Sequence, residues 1–178
     1  GYGWEKLFSE RMCRHFYEDF GLEVRIARYH NVYGEYGSWR DGREKAPAAL
    51  SRKFVESIHN KKNKIEIWGN GNQIRSFLYI DDCIKGTDLL FKSKYRQPIN
   101  IGNDKHVTIN KLVSILEKIT KHKVKRVYDT SKPKGVDSRS SDNTLVKKIL
   151  NWSPETSTEK GMEKLFRFVN REYLKLKQ

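Results

Sequence analysis

The sequence has little cysteine, no long apolar run and no glycine-rich phosphate loop. Its 178 residues include two cysteines, Cys13 and Cys83, which lie far apart and have no metal-ligand spacing. This count disfavours a disulfide scaffold and a cysteine metal site, and it favours a reduced, cytoplasmic setting. No apolar run approaches the roughly 18 residues of a membrane span. A GxGxxG motif is absent, so any dinucleotide-binding βαβ unit with that loop is expected upstream of these residues.

Positive charge is abundant. The chain has 36 Lys+Arg against 22 Asp+Glu and a formal net charge of +14. Such a balance suits anionic partners, namely nucleic acid, an acidic membrane surface or phosphorylated small molecules. The alternative is a solvated surface, because many lysines fall where a helix would face water, such as Lys111, Lys118 and Lys147. Charge alone therefore does not identify a partner.

The rest of the composition is that of a folded domain. Hydrophobic residues make up 37% and aromatic residues 12% of a length that fits about one domain. The chain starts at Gly1, and an amphipathic helix begins within its first residues. We therefore expect the chain to be part of a longer polypeptide.

The spacing of apolar residues predicts an alternation of helices and strands. Gly21 is expected to end the first helix, Asp81 or Asp82 to cap the third and Thr108 to cap the fourth. Residues 69–72 are expected to form a turn and residues 131–141 a loop. Helices are predicted at 2–19, 46–59, about 81–91, from 108, 142–150 and 158–176, and strands at 22–27, 65–68, 75–80, 98–101 and 124–128. The alternation predicts an α/β fold.

The first candidate for chemistry is the segment Tyr2-Gly3-Trp4-Glu5-Lys6. Residues four apart share a helix face, and an ammonium group near a phenol stabilises the phenolate. Such a tyrosine can remove a hydroxyl proton while hydride leaves the same carbon. The alternative is a helix with an exposed aromatic residue and a solvated lysine.

Two further candidates follow along the chain. Arg28-Tyr29-His30-Asn31-Val32-Tyr33-Gly34 comes directly after a predicted strand, where α/β enzymes collect ligands, and Asn31 can both donate and accept hydrogen bonds. Gly42-Arg43-Glu44-Lys45-Ala46-Pro47-Ala48-Ala49 clusters charges at a helix start. The helix dipole opposes the charge of Lys45 and so favours acid–base work. The alternatives are a packed loop for the first segment and a solvated charge run for the second.

The last two candidates contribute arginines. Arg75 lies in the segment from Trp68 to Asp82, and Arg139 opens Arg139-Ser140-Ser141-Asp142-Asn143. Two arginines can hold a diphosphate by bidentate contacts, whereas an arginine on a surface loop is usually only solvated.

Taken in this order, the five segments resemble the nucleotide-sugar epimerases and dehydratases of the extended short-chain dehydrogenase/reductase family. That family has a YxxxK helix, a strand that ends in RxxNxYG, a GxGxQxRxFxxxDD segment and a final RxSD. The resemblance covers essentially the whole chain. Within the family, the stretch from Gly34 to Ala49 is similar to the branch of GDP-mannose 3,5-epimerases.

The resemblance implies a fold and partners. Residues 1–35 would be the last part of a Rossmann-type NAD-binding domain. Residues 36–178 would be mostly a small α/β substrate-binding domain, with an interleaved return to the Rossmann sheet. The N-terminal half of the same enzyme and a second copy, in a homodimer, are the implied protein partners. NAD is the implied cofactor and GDP-mannose the implied substrate.

The resemblance also implies roles for individual residues. Tyr2 would assist oxidation at C4 of the sugar, Lys6 would hold the nicotinamide ribose and tune Tyr2, and Lys45 would move protons at C3 and C5. The implied substrate ligands are His30, Asn31, Glu44, Lys45, Arg75 and Arg139, with the arginines on the diphosphate. No metal is implied.

Three other hypotheses stay open. One is a related NAD-dependent sugar 4-epimerase, dehydratase or decarboxylase. Another is a basic nucleic-acid-binding module, although no helix-turn-helix, zinc or RNA-recognition signature supports it. The third is a non-catalytic remnant that pairs with an intact enzyme. The favoured hypothesis includes neither nucleic acid nor a membrane as a partner.

Overall fold

The computed structural model describes residues 1–132 and 135–178, which form an α/β fold, as the sequence predicts. The helices in this part of the chain are α1 Tyr2–Phe20, α2 Ala46–His59, α3 Ile80–Lys92, α4 Ile109–Thr120, α5 Thr144–Leu150 and α6 Thr158–Lys175. The strands are β1 Ala27–Tyr29, β2 Val32–Tyr33, β3 Lys64–Trp68, β4 Ile74–Arg75, β5 Leu78–Tyr79, β6 Ile99–Ile101, β7 Val107–Thr108, β8 Lys125–Asp129 and β9 Ser138–Arg139.

The strands pair mostly in parallel, over large sequence separations. The parallel pairs are β1 with β6, β2 with β5, and β3 with β8. Strand β4 lies between β7, which is antiparallel to it, and β9, which is parallel. Parallel pairs need crossover connections, and the helices supply them.

Two hydrophobic clusters form the core. The larger one joins α2, α4 and α6 to β3, and at its centre lie the fully buried Phe54, Leu112 and Met162. The smaller one packs α3 and α5 against β6, with the buried Leu90 and Trp152 at its centre. Apolar residues three and four apart give each of these helices one face to bury, which is why the helix predictions succeed.

Helix α1 lies outside both clusters, since none of its residues is buried. A bidentate ion pair attaches it to β1: Arg28 Nε and Nη2 donate to the Glu10 carboxylate at 2.7 and 2.5 Å. The guanidinium of Arg96 lies 4.6 Å from the ring centroid of Tyr17 and adds a second contact. Gly21 ends the helix in the left-handed conformation (φ 68°), as its sequence position predicts.

Replacing Glu10 by glutamine is expected to speed hydrogen exchange of the α1 amides by about two- to fivefold at neutral pH, because Arg28 is half exposed and solvent weakens the pair. The hydrogen bonds from Arg28 hold the pKa of Glu10 below its ordinary value. A carboxylate with a lowered folded-state pKa stabilises the fold above its ordinary pKa and loses that effect as the pH falls. The difference between variant and parent should therefore disappear in acid.

The matched control is Glu18→Gln, which breaks pairs with Arg14 and His15 that both lie inside α1. This change should leave the attachment of α1 to β1 intact. Equal exchange in the two variants at neutral pH would contradict a role for Glu10 in that attachment.

Most element predictions are confirmed to within two residues, including the cap of α4, where the Thr108 side chain accepts from the backbone N–H of Lys111. The strand predicted at 22–27 is wrong. In the described chain, pairing with β6 begins only at Ala27, so the residues before it have no ladder partner. The strand predicted at 75–80 is divided into β4 and β5, because Arg75 pairs with β7 and β9 whereas Leu78 pairs with β2.

Two predictions about loops and caps also need correction. Neither Asp81 nor Asp82 caps α3, whose N-cap is Tyr79. The buried carboxylate of Asp82 accepts the backbone N–H groups of Glu155 and Thr156 at 3.1 and 3.0 Å, and so ties α3 to the segment before α6. The loop predicted at 131–141 contains strand β9, and positions 133 and 134 of that prediction lie outside the described residues. Across the described part of the chain, no helix is both long and apolar enough to cross a bilayer.

Candidate functional site

A cavity of about 410 Å³ opens between the first half of α2, strand β3 and the segment 73–77. This volume lies within the usual range for small-molecule sites. Polar residues on its wall are Asn31, Glu44, Lys45, Arg52, Lys53, Gln73 and Arg75. Apolar residues on its wall are Leu50, Ile67, Trp68, Phe77 and Ile109. The cavity therefore combines an apolar wall with convergent polar groups, four of which are cationic.

Lys45 lies at the N-cap of α2. Pro47 is in the first turn, where its missing N–H costs nothing, and the Lys45 carbonyl accepts from the N–H groups of Ala48 and Ala49 at 3.0 Å. The extended backbone of the cap (φ −72°, ψ 159°) turns the chain into the helix at this residue. The Lys45 side chain remains exposed at the cavity wall, beside the positive end of the helix dipole.

Glu44 and Arg52 form an ion pair behind Lys45. Arg52 Nη2 lies 2.9 Å from Glu44 Oε1, and its Nη1 lies 3.0 Å from Glu56 Oε1. The Glu44 side chain is only 6% exposed. Burial alone would raise the pKa of Glu44, but the backbone N–H donors of Glu44 and Gly42 and the charge of Arg52 outweigh it and lower the pKa. The pair thus fixes the segment that carries Lys45 onto α2.

Unpaired polar atoms concentrate at this cavity. In the described chain, four buried side-chain atoms have no hydrogen-bond partner: Glu44 Oε2, Arg52 Nε, Gln73 Oε1 and Trp152 Nε1. The first three belong to residues of the cavity wall. Since buried polar groups are nearly always paired, these three atoms leave hydrogen-bonding capacity at the cavity wall that water or a polar ligand can satisfy.

Asn31 enters the cavity from the loop after β1. Its backbone is left-handed (φ 42°), a conformation that asparagine tolerates better than most residues. Its side-chain Nδ2 donates to the Ser76 carbonyl at 3.0 Å, and its own carbonyl accepts from the Leu78 N–H at 3.3 Å. Asn31 therefore joins the loop after β1 to the segment that carries Arg75.

The two candidate arginines lie on neighbouring strands. Arg75 of β4 is in register with Arg139 of β9, which puts their backbones about 4.8 Å apart. Arg75 lines the cavity, and its Nη1 donates to the Ile74 carbonyl at 2.7 Å. Arg139 is not part of the cavity wall.

His30 lies near Arg139. Burial lowers the pKa of His30, and the charge of Arg139 lowers it further, whereas a hydrogen bond with Asn100 raises it. The structure thus groups His30 with Arg139 beside the cavity.

Tyr2 and Lys6 lie on α1 and are not among the residues that line the cavity. Their side chains share a face of the helix, with Lys6 Nζ 5.3 Å from the Tyr2 ring centroid, as the spacing predicts. The Tyr2 side chain is 74% exposed. The pair is therefore formed and open to a ligand, but the described contacts do not join it to Lys45.

Sequence reasoning assigned no role to four residues of the wall, namely Arg52, Lys53, Trp68 and Gln73. Burial lowers the pKa of Lys53, whose Nζ donates to the Glu66 carbonyl at 2.7 Å. The spacing of eight residues gives no signal for the pair of Arg52 with Glu44, because two helical turns span about 12 Å along the axis and Glu44 lies before the helix. No signal in the sequence relates Gln73 to α2, because their presence at the wall of one cavity depends on tertiary packing.

The arrangement supports proton transfer and anion binding. Lysine and histidine side chains can carry protons, and guanidinium and ammonium groups attract phosphate oxygens. Among the described residues, no group of three or more His, Cys, Asp or Glu side chains is placed to hold a metal ion.

Comparison with known proteins gives a consistent result. A profile of the NAD dependent epimerase/dehydratase family matches residues 1–102, more than half of the chain. GDP-mannose 3,5-epimerase 1 of Oryza sativa subsp. indica and GDP-mannose 3,5-epimerase of Arabidopsis thaliana are each 43% identical to it over 161 residues. These alignments cover 90% of this chain and 41% of each relative. The chain thus spans less than half the length of these relatives.

Solved structures share the fold. UDP-glucose 4-epimerase from Thermotoga maritima, determined with UDP-glucose, has a TM-score of 0.86 and 26% identity, over 97% of this chain and 54% of that one. UDP-glucuronic acid 4-epimerase from Bacillus cereus, in complex with UDP-glucuronic acid and NAD, has a TM-score of 0.80 and 28% identity, over 97% and 53%. These are Rossmann-type extended short-chain dehydrogenases, as the sequence predicts, and this chain corresponds to about half of each.

Proposed function

Because the chain belongs to the NAD dependent epimerase/dehydratase family, we propose that it is part of an enzyme that epimerises GDP-mannose at C3 and C5 through a transient C4 ketone. The observation that carries the proposal is the cavity, in which Asn31, Lys45 and Arg75 converge from three separate motifs beside three unpaired buried polar atoms. The 43% identity to two GDP-mannose 3,5-epimerases, over 90% of the chain, supports this substrate.

The proposal includes the organisation of the whole enzyme. Residues 1–35 complete an NAD-binding Rossmann domain, and residues 36–178 form most of the substrate-binding domain. The N-terminal half of the same enzyme supplies the remaining Rossmann strands and the phosphate-binding loop. The enzyme is a cytoplasmic homodimer. The exposed apolar side chains of α1, among them Trp4, Phe8 and Phe16, are available to both contacts.

Tyr2 and Lys6 fit one end of NAD. A phenol and an ammonium group that share an exposed helix face can hydrogen-bond the nicotinamide ribose, whereas the described residues offer no glycine-rich cradle for its diphosphate. When bound, NAD supplies the reversible removal of hydride from C4. Tyr2 takes the proton of the C4 hydroxyl, and Lys6, beside it on the same helix face, holds it in place.

Lys45 moves protons at the carbons next to C4. A ketone at C4 makes the hydrogens at C3 and C5 acidic. At each carbon a base removes the proton from one face, and an acid returns a proton to the opposite face. Lys45 serves as one of these two groups, because its side chain stands at the cavity wall at the amino end of α2.

The remaining candidates bind the substrate. Arg75 and Arg139 bind the diphosphate. The backbones of these two arginines are in register on neighbouring strands, and the negative charge of the diphosphate balances their guanidinium groups. Asn31 and His30 hydrogen-bond the sugar and its phosphates, whereas the Glu44 carboxylate, which only accepts, binds a sugar hydroxyl. The free Oε2 of Glu44 can accept a hydrogen bond from a sugar hydroxyl without disturbing its pair with Arg52.

Proton exchange in heavy water tests the proposal on the natural full-length protein. With GDP-mannose and NAD, the NMR signals of the sugar H3 and H5 are expected to disappear with time. Inversion at C4 with H3 and H5 retained would instead assign the chain to the 4-epimerases, the activity named for both solved structures that share its fold. No reaction with any nucleotide sugar would refute both assignments.

A further inference from the structure

Three helices end together at the side of the molecule away from the cavity. His59, at the end of α2, hydrogen-bonds Asn170 of α6 at 2.9 Å, and its ring stacks on Tyr173 with a centroid separation of 5.4 Å. His122, just after α4, lies 2.9 Å from Ser57 Oγ and 3.2 Å from the Lys62 carbonyl. The carboxyl ends of α2, α4 and α6 are therefore fixed next to one another.

Exposed lysines crowd this end, and we call them the lysine face: Lys61, Lys62, Lys64, Lys121, Lys123, Lys125, Lys175 and Lys177. Residues 59–64 and 121–126 contain no acidic residue. Across the described chain, the ion pairs of the lysine face are a long one from Lys123 to Glu117 at 3.9 Å and one from Lys175 to Glu172 at 2.9 Å. Most of this charge is therefore available to an anionic partner.

The fold reduces the electrostatic repulsion among these closely spaced lysines. The carboxyl end of a helix carries a partial negative charge that stabilises nearby cations, and three such ends meet here. Lys61 and Lys121 both have left-handed backbones (φ 53° and 55°) in the turns that follow α2 and α4. The two turns are held together by the bond from the Lys125 N–H to the Asn63 carbonyl at 2.6 Å.

The lysine face is separate from the candidate site. Helix α2 has 14 residues, and at 1.5 Å per residue its two ends are about 21 Å apart. Lys45 stands at the amino end of this helix and the lysine face at the carboxyl end. A partner on the lysine face would thus lie about 21 Å from Lys45, although Lys62 and Lys64 line a groove together with Arg52 and Lys53 of the cavity wall.

Apolar side chains accompany the lysines at the end of α6. Leu174 and Leu176 are 42% and 53% exposed, and they alternate with Lys175 and Lys177. Exposed leucines and neighbouring lysines both favour binding at a bilayer surface. The leucines can enter the headgroup boundary, and the lysines attract anionic lipids.

We propose that the lysine face binds the surface of a membrane that contains anionic lipids. Nucleic acid suits it less well, because base recognition uses aromatic stacking and base-edge contacts. The only aromatic ring in residues 171–177 is that of Tyr173, which His59 and Lys177 already cover. This binding is peripheral: the protein would lie on the membrane surface and would not need a membrane-spanning segment, which the sequence lacks. The proposal goes beyond the sequence-based hypothesis, which included no membrane among the partners.

Vesicle sedimentation of the full-length protein tests the proposal. Binding is expected to vesicles that contain phosphatidylglycerol, not to pure phosphatidylcholine, and to fall as salt screens the charges. The variant with Lys62, Lys64, Lys121 and Lys123 all changed to glutamine should bind at least about tenfold more weakly. A second variant, Leu174→Ser with Leu176→Ser, should bind more weakly while its circular dichroism is unchanged.

The matched control changes Lys105, Lys111, Lys148 and Lys160 to glutamine, which removes the same charge from exposed positions elsewhere. Two of them, Lys111 and Lys160, lie at the amino ends of α4 and α6. Equal loss of binding in this control would reduce the effect to net charge and overturn the proposal. Tighter binding to a short DNA duplex than to the vesicles, lost in the first variant, would overturn it in favour of nucleic acid.

Discussion

Replacing Lys45 by alanine is expected to slow exchange of the sugar H3 and H5 in the full-length enzyme by at least about 100-fold, the usual contribution of a general acid or base. The reason is its position: at the N-cap of α2, the exposed Lys45 side chain stands at the cavity wall. Proton NMR of GDP-mannose in heavy water, with NAD present, measures the rate directly.

Two comparisons distinguish slower exchange through loss of the Lys45 amine from slower exchange through misfolding. In the proposed mechanism, oxidation at C4 uses Tyr2 and Lys6 and not Lys45, so transient formation of NADH, followed by absorbance, should persist in the variant. Lys111→Ala, in the first turn of α4, changes an exposed lysine outside the cavity and should leave exchange unchanged. Retention of H3 and H5 exchange in Lys45→Ala would remove the proposed role of this lysine.

Replacing Arg52 by alanine is expected to lower the free energy of unfolding by roughly 2 kcal/mol or more. Removal of one partner of a buried ion pair leaves the other charge uncompensated, and here that charge is Glu44, of which 6% is exposed. The Arg52 side chain is 24% exposed, which keeps the effect below that of a fully buried pair. Urea unfolding followed by circular dichroism measures the change.

The pH dependence gives the same expectation a second readout. The pKa of Glu44 lies below its ordinary value, so its contribution to stability is present above pH 4.5 and is lost as the pH falls through the folded-state pKa. The loss of unfolding free energy caused by Arg52→Ala should therefore become smaller in acid. As a control, Arg171→Ala breaks an exposed pair with Glu172 and should cost less than about 1 kcal/mol. An equal cost for both variants would contradict the argument.

Local patterns sufficed to predict most of the helices. The apolar spacing in α4 and α6, the glycine after α1 and the proline in the first turn of α2 act within a few residues, and the structure follows them. They failed where a strand needed a distant partner. The residues before β1 and the division between β4 and β5 depend on strands that lie elsewhere in the sequence.

The candidate site divides in the same way. Motifs in the sequence were enough to select Asn31, Lys45 and Arg75, because their side-chain chemistry and local position carry the signal. Only the tertiary structure put these three residues around one cavity, added Arg52 and Gln73 to its wall and left His30 and Arg139 beside it. It also brought the lysines after α2 and α4 together at one end of the molecule. The physical reason is that side-chain periodicity records which face of an element is buried, whereas contacts between distant elements depend on how the hydrophobic core packs them.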